Sequence, residues 1–109
     1  MELMSIPECA EALGVPVNRV HQYLRDGYLV GVKDDQSGKR AVPASFVQDG
    51  VVVKHLHSVV TQLRDVHYTD DEIVGWLFRE DESLPGTPID ALRANRGSEV
   101  KRRAQVAGY

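Results

Sequence analysis

The chain has 109 residues, enough for one compact domain or a small reading unit with a helical extension, and too few for two large domains. Apolar residues make up 42% and charged residues 27%, which excludes the composition of a disordered chain. The formal net charge of −3 excludes a uniformly basic surface, and residues 1–50 carry five Lys/Arg against seven Asp/Glu, so any contact with nucleic acid must be concentrated on one face.

No apolar run approaches the length of a membrane span, and the start Met1-Glu2-Leu3-Met4 lacks both a basic and an apolar leader segment. The expectation is a cytoplasmic protein with no membrane partner. The single cysteine, Cys9, has no partner for an internal disulfide and reads as a small buried apolar residue.

Ser5-Ile6-Pro7-Glu8 has the form of a capping box, so a first helix is predicted from about Ile6 with Ile6, Cys9, Ala10 and Leu13 on one side and Gly14 at its end. Val15-Pro16 makes a tight connection. A second helix over 17–26 turns Val20, Tyr23 and Leu24 inward before Gly27 closes it. Two short helices around a turn of three or four residues form a helix-turn-helix, in which the second helix can enter the DNA major groove.

The period then becomes strand-like. Tyr28 to Val32 reads as extended, Asp34-Asp35-Gln36-Ser37-Gly38 as a turn, and Lys39 to Pro43 as the returning strand of a basic β-hairpin, or wing. Ala44 to Val47 reads as a further helical turn, and Val51-Val52-Val53 as an apolar link without an assigned state. Ser58 to His67 is a helix with Val59, Val60, Leu63 and Val66 inward. Thr69-Asp70-Asp71-Glu72 is a second capping box, opening a helix with Ile73, Trp76 and Leu77 inward and packed on the preceding one as a hairpin. Residues 80–86 read as a loop and Thr87-Pro88 as a cap followed by proline at the first helical position. That helix is expected to reach about Asn95, Gly97 to interrupt it, and Ser98 to Ala107 to form the last one.

With Val20, Tyr23 and Leu24 assigned to the core, the second helix presents Asn18, Arg19, His21, Gln22 and Arg25 outward. Arginine can pair with guanine in the major groove, and asparagine or glutamine with adenine. Lys33, Lys39 and Arg40 are candidates for phosphate neutralisation, although Asp34 and Asp35 oppose it and a charged hairpin tip also serves to block edge pairing. His55 and His57 lack the spacing of a helical zinc pair, and Asp70-Asp71-Glu72 reads as an acidic first helical turn. No catalytic or metal-ligating constellation is present in the pattern, so the expectation is a protein that is not an enzyme and needs no cofactor.

The stretch Ser5 to Val20 together with Leu24-Arg25-Asp26-Gly27-Tyr28-Leu29-Val30 resembles the reading head of MerR-like and excisionase-like winged helices. The whole chain resembles an actinobacterial family of winged helix-turn-helix proteins, known in mycobacteria as a DNA-binding substrate of a Ser/Thr protein kinase. The matching segments are Leu13 to Val17, Leu24 to Val30, Glu72 to Phe78, Pro88 to Leu92 and Val100 to Gln105. This resemblance implies DNA binding without catalysis and a Ser/Thr protein kinase as a partner. A phosphate added near the reading head would oppose DNA through like-charge repulsion.

The combined expectation is a mainly α fold with a small β-hairpin: a winged helix-turn-helix domain over 1–55 and a C-terminal helical domain over 56–109. Its expected role is sequence-selective binding of double-stranded DNA in transcription regulation, nucleoid-associated in the cytoplasm, with homodimerisation an available assembly. The alternative is a protein-interaction adaptor that uses the winged scaffold and helical block without DNA.

Overall fold

Ser5 opens the first helix as its sequence predicts. Its Oγ accepts from the Glu8 N–H at 3.1 Å, and Glu8 Oε1 accepts from the Ser5 N–H at 2.8 Å. These bonds favour the ionised carboxylate, the Ser5 backbone N–H most, and hold Glu8 below the usual carboxylate range. In the computed structural model, which describes residues 1–81, 84 and 86–107, α1 runs Ile6–Leu13 and ends at Gly14 in the left-handed conformation. α2 follows after three residues, over Val17–Asp26, and ends at Gly27, also left-handed. Ile6, Cys9, Ala10, Val20 and Leu24 are buried, while Leu13 and Tyr23 are half-buried. Cys9 is sealed in the core, and burial pushes its thiol pKa up.

The expected strand from Tyr28 to Val32 is shorter than its composition suggests, because β2 covers only Val32–Lys33. The N–H groups of Tyr28 and Leu29 both donate to the Tyr23 carbonyl, at 3.0 and 3.2 Å, so the chain is still closing α2 at that point. Leu29 and Val30 are adjacent and both fully buried, so this segment plugs the core instead of alternating. β3 (Arg40–Pro43) pairs antiparallel with β2 in the register Val32↔Ala41 and Lys33↔Arg40, giving the expected wing. The turn between them closes through Asp34 N–H to the Lys39 carbonyl, 2.8 Å, and Gly38 N–H to the Asp34 carbonyl, 2.7 Å.

Two features of the first half went unpredicted. β1 (Leu3–Ser5) pairs with the other edge of β3, making a three-stranded sheet in the order β1-β3-β2. After a 3₁₀ turn at Ala44–Phe46, close to the expected helical turn, β4 (Val47–Gln48) and β5 (Val51–Val52) form a second hairpin. Its turn residues Asp49 and Gly50 have φ of 54° and 80°, the positive pair that a two-residue type I′ turn requires.

In the second half, α3 spans Leu56–Asp65, two residues earlier at each end than expected. Val66 therefore falls outside the helix and is 38% exposed, contrary to its predicted inward role. α4 (Asp70–Leu77) begins with the Thr69–Glu72 capping box, as predicted, but Trp76 is only half-buried at the edge of the core. α5 (Pro88–Arg93) is capped by Thr87, whose Oγ1 accepts from the Asp90 N–H at 3.2 Å. α6 (Gly97–Gln105) begins at the glycine that was expected only to interrupt. A side chain at Gly97 would run into the His55 ring, which explains the glycine there. The principal neighbour of α3 is α6, with α4 touching it less, so the expected α3–α4 hairpin is not the main packing. Of the expected loop at 80–86, residues 82, 83 and 85 lie outside the described residues.

Buried side chains from both halves join in one core. Val20, Leu24, Leu29 and Phe46 belong to the same cluster as Leu56, Val60, Leu63, Ile73, Leu77 and Val100. The radius of gyration, 13.2 Å, matches the roughly 13 Å of a single compact domain of this length.

Candidate nucleic-acid interface

α2 buries Val20 and Leu24 and leaves Asn18, Arg19, His21, Gln22 and Arg25 exposed. At about 100° per residue, Gln22 lies opposite the buried pair, Asn18, Arg19 and Arg25 lie within about 60° of it, and His21 sits at the flank beside Leu24. The first turn carries Asn18 and Arg19 and no acidic residue, leaving the positive end of the helix dipole uncompensated from within α2. These five side chains thus share one element, with short polar groups beside long cationic ones.

The remaining candidates sit on the wing. Lys33 on β2 and Arg40 on β3 are paired across the ladder, and Lys39 lies next to them in the turn; all three are exposed. Arg40 differs from the two lysines in having a defined partner. Its Nη2 lies 3.2 Å from Asp70 Oδ2 at the start of α4, with side chains 47% and 36% exposed.

Asp70 also binds a second arginine. Its Oδ1 accepts from Arg64 Nη2 of α3 at 3.1 Å, and the Arg64 guanidinium donates to the carbonyls of Leu24 and Arg25, each at 3.3 Å. Those carbonyls belong to the last turn of α2, where helical partners run out. Gly27 makes room for this guanidinium, since a Cβ there would lie 3.1 Å from Arg64 Nη1 and 3.4 Å from Val60 Cγ1. Gly27→Ala is expected to destabilise the fold by about 1–2 kcal/mol, from the positive φ of 80° alone, before any displacement of Arg64. Urea denaturation of the two proteins measures this.

Sequence reasoning placed Asp70 only as an acidic helix start and did not single out Arg64. A second clasp of the same kind went unnoticed: Arg93 Nη1 donates to the carbonyls of Ser45 and Val47 at 2.8 and 3.0 Å. Tyr28, 44% exposed, stacks on His57 with ring centroids 3.9 Å apart. Beside it, Leu13, Val15, Tyr23, Val51 and Val52 line an apolar cleft of about 440 Å³. Among the described residues, no three His, Cys, Asp or Glu side chains are grouped to hold a metal ion, and no helix is long and apolar enough to cross a membrane.

Two helices about a three-residue turn, a two-stranded wing directly after them and a capped helical block define a winged helix-turn-helix protein of the DNA-binding class. The chain belongs to the Rv2175c family. Residues 1–47 match the family model described as the winged helix-turn-helix domain of DNA-binding protein Rv2175c. Residues 53–108 match the Rv2175c C-terminal domain of unknown function. The DNA-binding protein Rv2175c of Mycobacterium tuberculosis is 43% identical over 117 residues, covering 95% of this chain and 79% of that protein. The NMR structure of Rv2175c superposes with a TM-score of 0.89 at 40% identity, covering 99% of this chain and 82% of the other.

Proposed function

We propose that the chain binds double-stranded DNA with sequence selectivity and serves transcription regulation. In this reading α2 enters the major groove, where Asn18, Arg19, His21, Gln22 and Arg25 read or position, while Lys33, Lys39 and Arg40 engage phosphates. The observation that carries it is the exposed stripe on α2, which pairs groove-reading residue types with a helix face opposite the core. Membership in a DNA-binding family supports the same reading. Nucleoid association and control by a Ser/Thr protein kinase are further parts of it, since an added phosphate beside this stripe would repel the duplex. Residues 1–55 and 56–109 are proposed as units of role rather than separate cores.

The salt dependence of binding tests the wing. If Lys39 neutralises one phosphate, Lys39→Gln should flatten the plot of log affinity against log salt by about 0.9, and adding Arg40→Gln should bring the change to about 1.8. Sequence preference should stay constant, because phosphate contacts position without reading bases. Fluorescence anisotropy with labelled duplex across a salt series measures both, and an unchanged slope with intact folding would remove the wing from the interface. The apolar cleft beside Tyr28 favours a second reading, a protein-interaction adaptor; binding that stays weak and salt-insensitive on every duplex would support it.

A further inference from the structure

We infer that Asp70 is a positioning residue for DNA binding, and that the C-terminal half acts through it as a strut holding the wing in register with α2. The inference rests on the DNA-binding reading above. Four groups form a continuous path: the last carbonyls of α2, the Arg64 guanidinium, the Asp70 carboxylate and the Arg40 guanidinium on β3. Both Asp70 oxygens are used, one for each arginine. Neither end of the path lies in the C-terminal half, but both central members do, on α3 and α4.

The wing needs such a tie. β2 has only two residues and meets β3 through two register pairs, and the segment joining it to α2 is held by bonds to Tyr23 and by burial of Leu29 and Val30. β1 ties β3 to the helices only along Ala41–Pro43, so the end of the wing that carries Arg40 and the turn is fixed by the short β2 ladder alone, whereas a phosphate contact there and a groove contact on α2 must be made together. Asp70 fixes this end from outside the ladder. It also holds Arg40 through Nη2 at the turn end of the ladder, leaving the other guanidinium N–H groups available to a phosphate.

This role and simple electrostatics predict opposite signs. As an acid near a polyanion, Asp70 should weaken binding, and Asp70→Asn should tighten it. As the strut, its removal should weaken binding by about two- to fivefold, the range that a half-exposed ion pair supports. The salt slope should also fall, by up to about 1.8, as the wing releases the phosphates held by Lys39 and Arg40. Asp71→Asn makes the same charge change one residue away without breaking the path, so it should not weaken binding.

The experiment is anisotropy of a labelled random-sequence duplex, at low salt and across a salt series, with wild type, Asp70→Asn, Asp70→Glu and Asp71→Asn. Circular dichroism confirms folding, and Asp70→Ser replaces Asp70→Asn if that variant does not fold. Weaker binding and a flatter slope for Asp70→Asn, recovery in Asp70→Glu and undiminished binding by Asp71→Asn support the strut. The cycle with Arg40→Gln adds a check, since removing Asp70 should matter less once Arg40 is gone. Equal or tighter binding by Asp70→Asn while wild type binds overturns the strut alone. Failure of wild type to bind at low salt overturns the DNA-binding reading itself, and the strut with it.

Discussion

Replacing Arg19 and Gln22 together with alanine is expected to abolish most of the discrimination between a preferred duplex and random DNA while leaving the protein folded. Removing each base-reading side chain should cost about 1–3 kcal/mol on the preferred site. Both side chains are exposed on α2, so stability should change by no more than about 0.5 kcal/mol. Their positions differ in a useful way. Gln22 lies opposite Val20 and Leu24, and Arg19 about 60° round the helix from it, so the single variants separate a central base reader from a neighbouring contact. Selecting the preferred duplex from a random pool and titrating it beside unselected DNA provides the measurement. Equal weakening on both DNAs would place the two residues on the phosphate backbone and leave α2 without a base-reading role.

Much of this interface was legible in the sequence because its determinants are local. Ser5 with Glu8, Thr69 with Glu72 and Thr87 with Pro88 each announce a helix start within three residues, and all three helices begin there. Gly14 and Gly27 end α1 and α2 for an equally local reason, the left-handed cap. The α2 stripe follows from the period of one helix. β1 was illegible because three residues at a sheet edge carry no period, and their partner lies across the chain on β3. The second hairpin was legible in principle, since Asp49-Gly50 between Val47-Gln48 and Val51-Val52 is a type I′ signal. The reading of Val51 to Val53 as a mere link passed over it.

Long-range polar partners were not legible. The Arg40–Asp70 pair spans 30 residues and the Arg64 bond to the Leu24 carbonyl 40, and nothing local in either stretch names the other. This bears directly on the charge problem. A sequence with net charge −3 gives no means of deciding which cations are neutralised inside the protein. The fold assigns Arg64 and Arg93 to backbone carbonyls and leaves Arg19, Arg25, Lys33 and Lys39 exposed on α2 and the wing. A modestly acidic chain can thus present exposed cations on one face, beside exposed Asp26 and Asp35, and their placement matters more for duplex binding than the total.

A fragment of residues 1–55 is expected to lose cooperative folding, and with it DNA binding, even though the residues proposed to contact DNA all lie within it. The shared core is the reason. Removing α3 to α6 strips Val60 and Arg64 from Gly27, His57 from Tyr28, and Phe78 from Phe46, whose rings lie 5.9 Å apart. Burying one large apolar side chain stabilises a fold by about 1.5–3 kcal/mol, and whole domains are stable by only about 5–15 kcal/mol, so exposing a handful of side chains suffices to unfold the fragment. The carbonyls of Leu24, Arg25, Ser45 and Val47 would also be deprived of their arginine donors. Circular dichroism with thermal melting, followed by titration with random duplex at low salt, compares the fragment with the full chain. A sloping melt and abolished binding are the expected result. If the fragment instead melts sharply and keeps the full-length salt slope, the reading head is self-sufficient, the C-terminal half is free for a separate role, and the path through Arg64 and Asp70 contributes nothing to binding.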